Sequence, residues 1–84
     1  MIMVWHIIYR RFNYNMSCHF LTPRELEIFN LLVHDETTKS IAEKFNISQK
    51  TVRNHISNTI QKLGVTSRTQ AIIILIKNGL IKID

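Results

Sequence analysis

The side chains best suited to binding chemistry lie in one polar stretch between Gln49 and Leu63. Within it Arg53 and Asn54 are adjacent, and guanidinium and amide groups can each form paired hydrogen bonds with base edges in the DNA major groove. Residues 48–69 contain four basic side chains and no Asp or Glu. This stretch is therefore chemically suited to a polyanion that presents hydrogen-bonding edges.

The charge of the whole chain supports a polyanionic partner. The 84 residues carry a formal net charge of +5, yet residues 21–47 hold more acidic than basic side chains. The positive charge is thus concentrated in residues 48–69, a pattern typical of nucleic-acid-binding surfaces. A solvated surface helix is the plain alternative, and the lack of acids disfavours it. No apolar run approaches the roughly 18 residues that a membrane span needs, so we expect no membrane partner.

Helix start and stop signals show how the polar stretch is positioned. Ser48 can cap the helix that follows it, and Gly64 can end that helix near Leu63. Four residues at helical spacing predict a narrow buried stripe: Val52, Ile56, Thr59 and Leu63. A shorter helix ends at Asn46, only a few residues earlier. Two helices joined this tightly predict a helix-turn-helix.

Further capping signals predict an all-α fold of four helices over residues 21–84. They are Thr22 with Glu25 for the first helix, Thr37 or Thr38 for the second, Ser67 with Gln70 for the fourth, and Gly79 at its end. The fourth helix contains six consecutive apolar residues, 71–76, which cover every side of a helix. A chain this short rarely buries a helix on all sides, so a dimer seam is favoured over a fully buried helix.

Ordered motifs across residues 21–83 resemble the LuxR-type DNA-binding domain. They are Leu21-Thr22-Pro23-Arg24-Glu25, Thr38-Lys39-Ser40-Ile41-Ala42, Ile47-Ser48, Thr51-Val52-Arg53-Asn54-His55-Ile56, Lys62-Leu63-Gly64-Val65 and Arg68-Thr69-Gln70-Ala71. Among members, the chain is most similar to a stand-alone regulator that acts in sporulation and has no receiver or autoinducer domain. The chain departs from the family pattern at Asp35, where many members have Gly, and at Ser40, where Glu is common.

The resemblance implies a four-helix transcriptional regulator that binds double-stranded promoter DNA as a homodimer, with RNA polymerase as a further partner. It assigns base reading to Arg53, Asn54 and Ser57. It places six residues near the DNA backbone: Thr38, Lys39, Lys50, Thr51, Asn58 and Lys62. Together with the apolar run, it assigns the dimer interface to Ile73 and Ile76. A helix-turn-helix module that docks another regulator or a polymerase without reading DNA is the alternative function.

Enzymatic and metal-dependent functions have little support in the sequence. The spacings of His6, His19, His34, His55 and Cys18 match no metal-ligand pattern. No nucleophile motif such as G-x-S-x-G is present. We therefore expect neither catalysis nor a cofactor or metal.

Residues 1–20 form an N-terminal extension of unknown role, distinct from the domain at 21–84. Four large side chains recur there at helical spacing: Trp5, Ile8, Tyr9 and Phe12. The segment could pack on the domain or a partner, form an arm whose Arg10 and Arg11 touch phosphate, or precede a true translation start at Met16. Cys18 is the only cysteine, which excludes an internal disulfide and favours a reducing cytoplasm.

Overall fold

The computed structural model describes residues 21–83, which form four α-helices. These are α1 (Pro23–Leu32), α2 (Thr38–Phe45), α3 (Gln49–Leu63) and α4 (Arg68–Lys77). Within this range the chain forms no β-strand. The predicted all-α, four-helix fold is confirmed. The three interpretations of residues 1–20 fall outside the described residues.

One apolar core joins the four helices. It consists of Ile28, Phe29, Ile41, Ala42, Val52, Ile56, Leu63, Ala71, Leu75 and Ile81. The long helix α3 packs against each of the other three helices. Because each fully buried aliphatic or aromatic side chain stabilises the fold by roughly 1.5–3 kcal/mol, these contacts hold α3 along most of its length.

The predicted capping box at the start of α1 is present. The Thr22 hydroxyl accepts a hydrogen bond from the backbone N–H of Glu25 at 3.1 Å, and the Glu25 carboxylate accepts one from the N–H of Thr22 at 2.8 Å. Pro23 occupies the first helical position, where a missing N–H costs nothing. At the same end of the helix, the Arg24 guanidinium lies 4.0 Å from the centre of the Phe45 ring, which links α1 to α2.

The two departures from the family pattern have local structural explanations. Asp35 adopts a left-handed backbone conformation with φ 69°, as the glycine common in the family could do without strain. Ser40 completes a capping box with Thr37, since its hydroxyl accepts a hydrogen bond from the Thr37 N–H at 3.1 Å. The same hydroxyl donates to the Glu36 carboxylate at 2.7 Å. Serine therefore serves the capping function at this position, although it is shorter than Glu.

The turn between α2 and α3 is as tight as the sequence predicts. Asn46 ends α2 in the left-handed conformation, with φ 56° and ψ 47°. The N–H of Ile47 then donates to the carbonyl of Ala42 at 3.0 Å, and Ser48 caps α3 by accepting from the N–H of Thr51 at 3.0 Å. Three residues thus join two helices that pack against each other.

The end of the domain differs in detail from the prediction. Ser67 caps α4 as expected, but the Gln70 side chain accepts from the N–H and hydroxyl of Thr66, not from Ser67. The last helical residue is Lys77, and the left-handed Gly79 ends the helix as predicted, with the N–H of Leu80 donating to the carbonyl of Leu75 at 2.9 Å. The chain then returns to the core at Ile81, a buried residue that the helical pattern did not identify.

Candidate nucleic-acid interface

Helix α3 has a buried side that anchors it. The four residues of the predicted stripe, Val52, Ile56, Thr59 and Leu63, are all buried. Thr59 needs a hydrogen-bond partner in this position, and its hydroxyl donates to the carbonyl of His55 at 2.8 Å. Gly64 ends the helix in the left-handed conformation, with φ 71°. The buried side therefore matches the sequence prediction from the first turn to the last.

The opposite side of α3 is exposed and polar. Its exposed residues are Lys50, Arg53, Asn54, Ser57, Asn58, Gln61 and Lys62. From Lys44 to Ile83 the chain contains no acidic side chain, so within the described residues only α1, α2 and the turn between them can bring a carboxylate to this surface. The three residues assigned to base reading, Arg53, Asn54 and Ser57, lie together on this polar surface. The surface is rich in hydrogen-bond donors and has few negative charges.

The first turns of α2 and α3 hold four of the residues assigned to the DNA backbone. Lys39 and Lys50 are exposed, whereas Thr38 and Thr51 are half-buried. The Thr51 hydroxyl lies 2.9 Å from that of Ser48, so the N-terminal cap orients it. The two helices pack against each other, and both turns belong to one compact unit.

Lys62 has a protein partner that the sequence did not predict. Its ammonium lies 3.0 Å from one oxygen and 3.1 Å from the other oxygen of the Glu25 carboxylate. Glu25 is 2% exposed, and it belongs to the first turn of α1. The sequence indicates only a capping role for Glu25, because no spacing rule connects it to a position 37 residues away. The role of Lys62 at the DNA backbone stays a prediction.

Arg68 is a second residue that sequence reasoning left without a role. A cleft of about 320 Å³ lies between α3 and the start of α4, and Arg53 and Arg68 both line it. The same cleft is lined by the hydroxyl-bearing residues Ser57, Thr66 and Ser67. The lack of acidic residues between Glu43 and Asp84 was the available signal, but the sequence could not show that α4 begins beside the polar surface of α3.

The residues assigned to dimerisation lie on α4. Ala71 and Leu75 face the core, while Ile73 is 46% exposed and Ile76 is half-buried. Ile73 and Ile76 are one helical turn apart, so they share a side of the helix. Ile73 also lines an open groove with Val65 and Ile74. The structure thus separates the polar surface of α3 from an apolar surface on α4.

None of the four described helices is long and apolar enough to cross a membrane. Among residues 21–83, no three His, Cys, Asp or Glu side chains are grouped so as to hold a metal ion.

Comparison with known proteins identifies the family. A family model described as "Bacterial regulatory proteins, luxR family" matches residues 19–75 of this chain. The chain belongs to the luxR family of bacterial regulatory proteins. The LuxR-type resemblance is therefore confirmed, and the protein is a DNA-binding transcriptional regulator with a helix-turn-helix.

Individual relatives of this luxR-family chain differ in length. The chain is 61% identical over 59 residues to the Spore germination protein GerE of Bacillus subtilis, which covers 70% of this chain and 80% of GerE. It is 41% identical over 75 residues to the transcriptional regulatory protein DegU of Brevibacillus brevis, but this covers only 32% of DegU. A solved structure titled "Structure of Transcription factor, GerE" superimposes with a TM-score of 0.74, covering 76% of this chain and 96% of that one.

Proposed function

We propose that this regulator binds double-stranded promoter DNA as a homodimer, with α3 of each copy in the major groove. The observation that carries the proposal is the exposed polar side of α3, which presents cationic and amide groups on a helix anchored by four buried residues. A B-DNA major groove admits one α-helix, and its base edges present hydrogen-bond patterns that differ for every base pair.

The base-reading residues in this proposal are Arg53, Asn54 and Ser57. A guanidinium can donate two hydrogen bonds to O6 and N7 of guanine, and an asparagine amide can pair with N6 and N7 of adenine. Ser57 lies four residues after Arg53, so the two share one side of α3. All three are exposed, as a residue that enters the groove must be.

Contacts to the DNA backbone would fix the position of α3 relative to the base pairs in the major groove. We assign them to five residues on α2 and α3: Thr38, Lys39, Lys50, Thr51 and Asn58. Four of these lie in the first turn of a helix, where backbone N–H groups and the helix dipole also attract phosphate. Phosphate contacts carry no sequence information, but they set affinity and its dependence on salt.

Dimerisation would pair the exposed apolar surface of α4 with its copy. Ile73 and Ile76 lie on this surface, and a two-fold axis would bring each against the same patch of the partner. A symmetric dimer would place two copies of α3 about one turn of DNA apart and would recognise an inverted repeat.

The similarity to GerE supports a role in sporulation or germination. That relative is named a spore germination protein, and the alignment covers 80% of its length. We infer that the present protein regulates genes of the same process, acting in the cytoplasm on chromosomal DNA, with RNA polymerase as a further partner.

Selection from randomised DNA duplexes tests the proposal. The full chain should enrich an inverted repeat whose half-sites are about 10 base pairs apart. Arg53→Ala should weaken binding to the selected duplex by about 1–3 kcal/mol, roughly 5- to 150-fold, and relax the preference at one position per half-site. Lys77→Ala, at the far end of α4, serves as the control. It should keep both the affinity and the base preference of the wild type. Failure of the wild-type protein to enrich any motif would contradict base reading and favour the docking module.

A further inference from the structure

The Glu25 carboxylate connects the first turn of α1 to the last turn of α3. Its oxygens accept hydrogen bonds from the Thr22 N–H at 2.8 Å and from the Lys62 ammonium at 3.0 and 3.1 Å. The carboxylate side chain is 3% exposed and the lysine side chain 33%. The other ion pairs within residues 21–83 are longer, at 3.6 and 3.8 Å, and their acidic partners are more exposed. This pair is therefore the strongest ionic contact of the described domain.

Lys62 lies on the flank of α3 rather than at the centre of its polar side. It follows His55 by seven residues, so the two share one side of the helix, and His55 is half-buried. It follows Asn54 by eight residues, which turns it about 80° away from that residue around the helix axis. The Lys62 ammonium thus points toward α1 and not along the direction of the base-reading residues.

We infer that Lys62 is a positioning residue for DNA recognition and not a phosphate contact. Apolar burial is non-directional, so the buried stripe alone tolerates some rotation of α3 about its own axis. Hydrogen bonds from one ammonium to both oxygens of a carboxylate are directional. The Glu25–Lys62 pair holds the last turn of α3 from the side and sets the rotation at which Arg53 and Asn54 meet the bases.

The inference rests on the proposed function, and three possible roles of Lys62 have different consequences for binding. A phosphate contact supports binding to every duplex alike and adds about 0.9 to the slope of log affinity against log salt concentration. A positioning residue supports the preference for the selected duplex and leaves that slope unchanged. A residue needed only for stability affects neither quantity in a fully folded variant.

The test measures binding of the full chain by fluorescence anisotropy. The probes are a duplex selected from the randomised pool and a shuffled duplex of the same composition, titrated between about 50 and 200 mM salt. The central variants are Lys62→Met, which removes the charge, and Glu25→Gln, which keeps an oxygen for the Thr22 N–H. Lys62→Arg restores the charge. Lys50→Met is the control for a phosphate contact, and circular dichroism confirms that each variant is folded at the temperature used.

We expect Lys62→Met and Glu25→Gln to lower the preference for the selected duplex by roughly tenfold, the size of one well-made base contact. The salt slope of Lys62→Met should equal that of the wild type, and Lys62→Arg should regain most of the preference. Lys50→Met should instead lower the slope by about 0.9 and weaken binding to both duplexes equally.

Two results would overturn the inference. One is a lower salt slope with equal loss on both duplexes in Lys62→Met, which would make Lys62 a phosphate contact. The other is unchanged preference in both folded variants, which would leave the pair a purely structural role. If Lys62→Met does not fold, Glu25→Gln decides, since its buried side chain cannot itself reach phosphate. A wild-type protein without any preference would instead refute the proposed function.

Discussion

Helices α3 and α4 each present a side that the core does not cover, and the two sides differ in chemistry. On α3 the buried stripe is narrow, and the uncovered side carries Arg53, Asn54 and other polar groups. On α4 only Ala71 and Leu75 are fully buried, and the uncovered side carries Ile73 at 46% exposure. A core of this size can cover one side of each helix, so what remains outside indicates the partner.

The comparison shows that the same packing principle leaves two exposed surfaces of different chemistry. A polar, cationic surface is stable in water and gains energy from a polyanion. An apolar row remains in contact with water until a second apolar surface covers it. Single exposed apolar residues are ordinary, but Ile73 and Ile76 occupy neighbouring turns of one helix, beside an open groove. We therefore propose DNA as the partner of α3 and a second copy of the chain as the partner of α4.

The largest expected effect on stability comes from replacing an isoleucine with alanine on the buried side of α3, compared with the same substitution on the exposed side of α4. Ile56→Ala removes a buried side chain from α3 and should lower the free energy of unfolding by about 2–5 kcal/mol, because a cavity remains. Ile73→Ala removes the same atoms from the exposed side of α4 and should cost the monomer less than about 0.5 kcal/mol. Urea unfolding at several protein concentrations measures the free energy of unfolding of both variants. A loss of stability in Ile73→Ala that grows with protein concentration would indicate that the side chain stabilises a dimer. Equal losses at all concentrations would contradict the comparison.

The next effect concerns association. Ile73→Glu would place a charge inside the proposed apolar interface and should raise the dimer dissociation constant by about 100-fold or more, since burying an unpaired carboxylate is costly. Sedimentation velocity over a dilution series measures this constant. Lys77→Glu makes a charge change in the last turn of the same helix and serves as the control. A wild-type protein that sediments as a monomer, or a variant with the same dimer mass, would refute the assignment of α4.

The smallest effect concerns the turn that joins α2 to α3. Asn46→Ala should lower the free energy of unfolding by about 1 kcal/mol, because alanine tolerates the left-handed conformation less well than asparagine. Asn46→Gly adopts that conformation freely and is the matched control. Thermal unfolding distinguishes the two, and a glycine variant that is less stable than the alanine variant would show that φ is not the determining factor.

Much of the fold was predictable because its signals are local. Threonine and serine caps, the left-handed Asn46 and Gly64, and the four-residue stripe on α3 each depend on neighbours within a few positions. These features appear in the structure where the sequence placed them. The Gln70 side chain does not follow its predicted capping pattern, because the Thr66 N–H and hydroxyl compete successfully for its oxygen.

The sequence by itself determined the four helices, the polar side of α3 and the excess of apolar residues on α4, since helical periodicity and capping act over short distances. Only the tertiary structure decided that Glu25 holds Lys62 and that Arg68 shares a cleft with Arg53. These contacts join residues far apart in the chain, and their formation depends on how the core packs α1 and α4 against α3. Short-range sequence patterns predict each helix, whereas the partner of each charged side chain depends on which residues of other helices the core packing brings next to it.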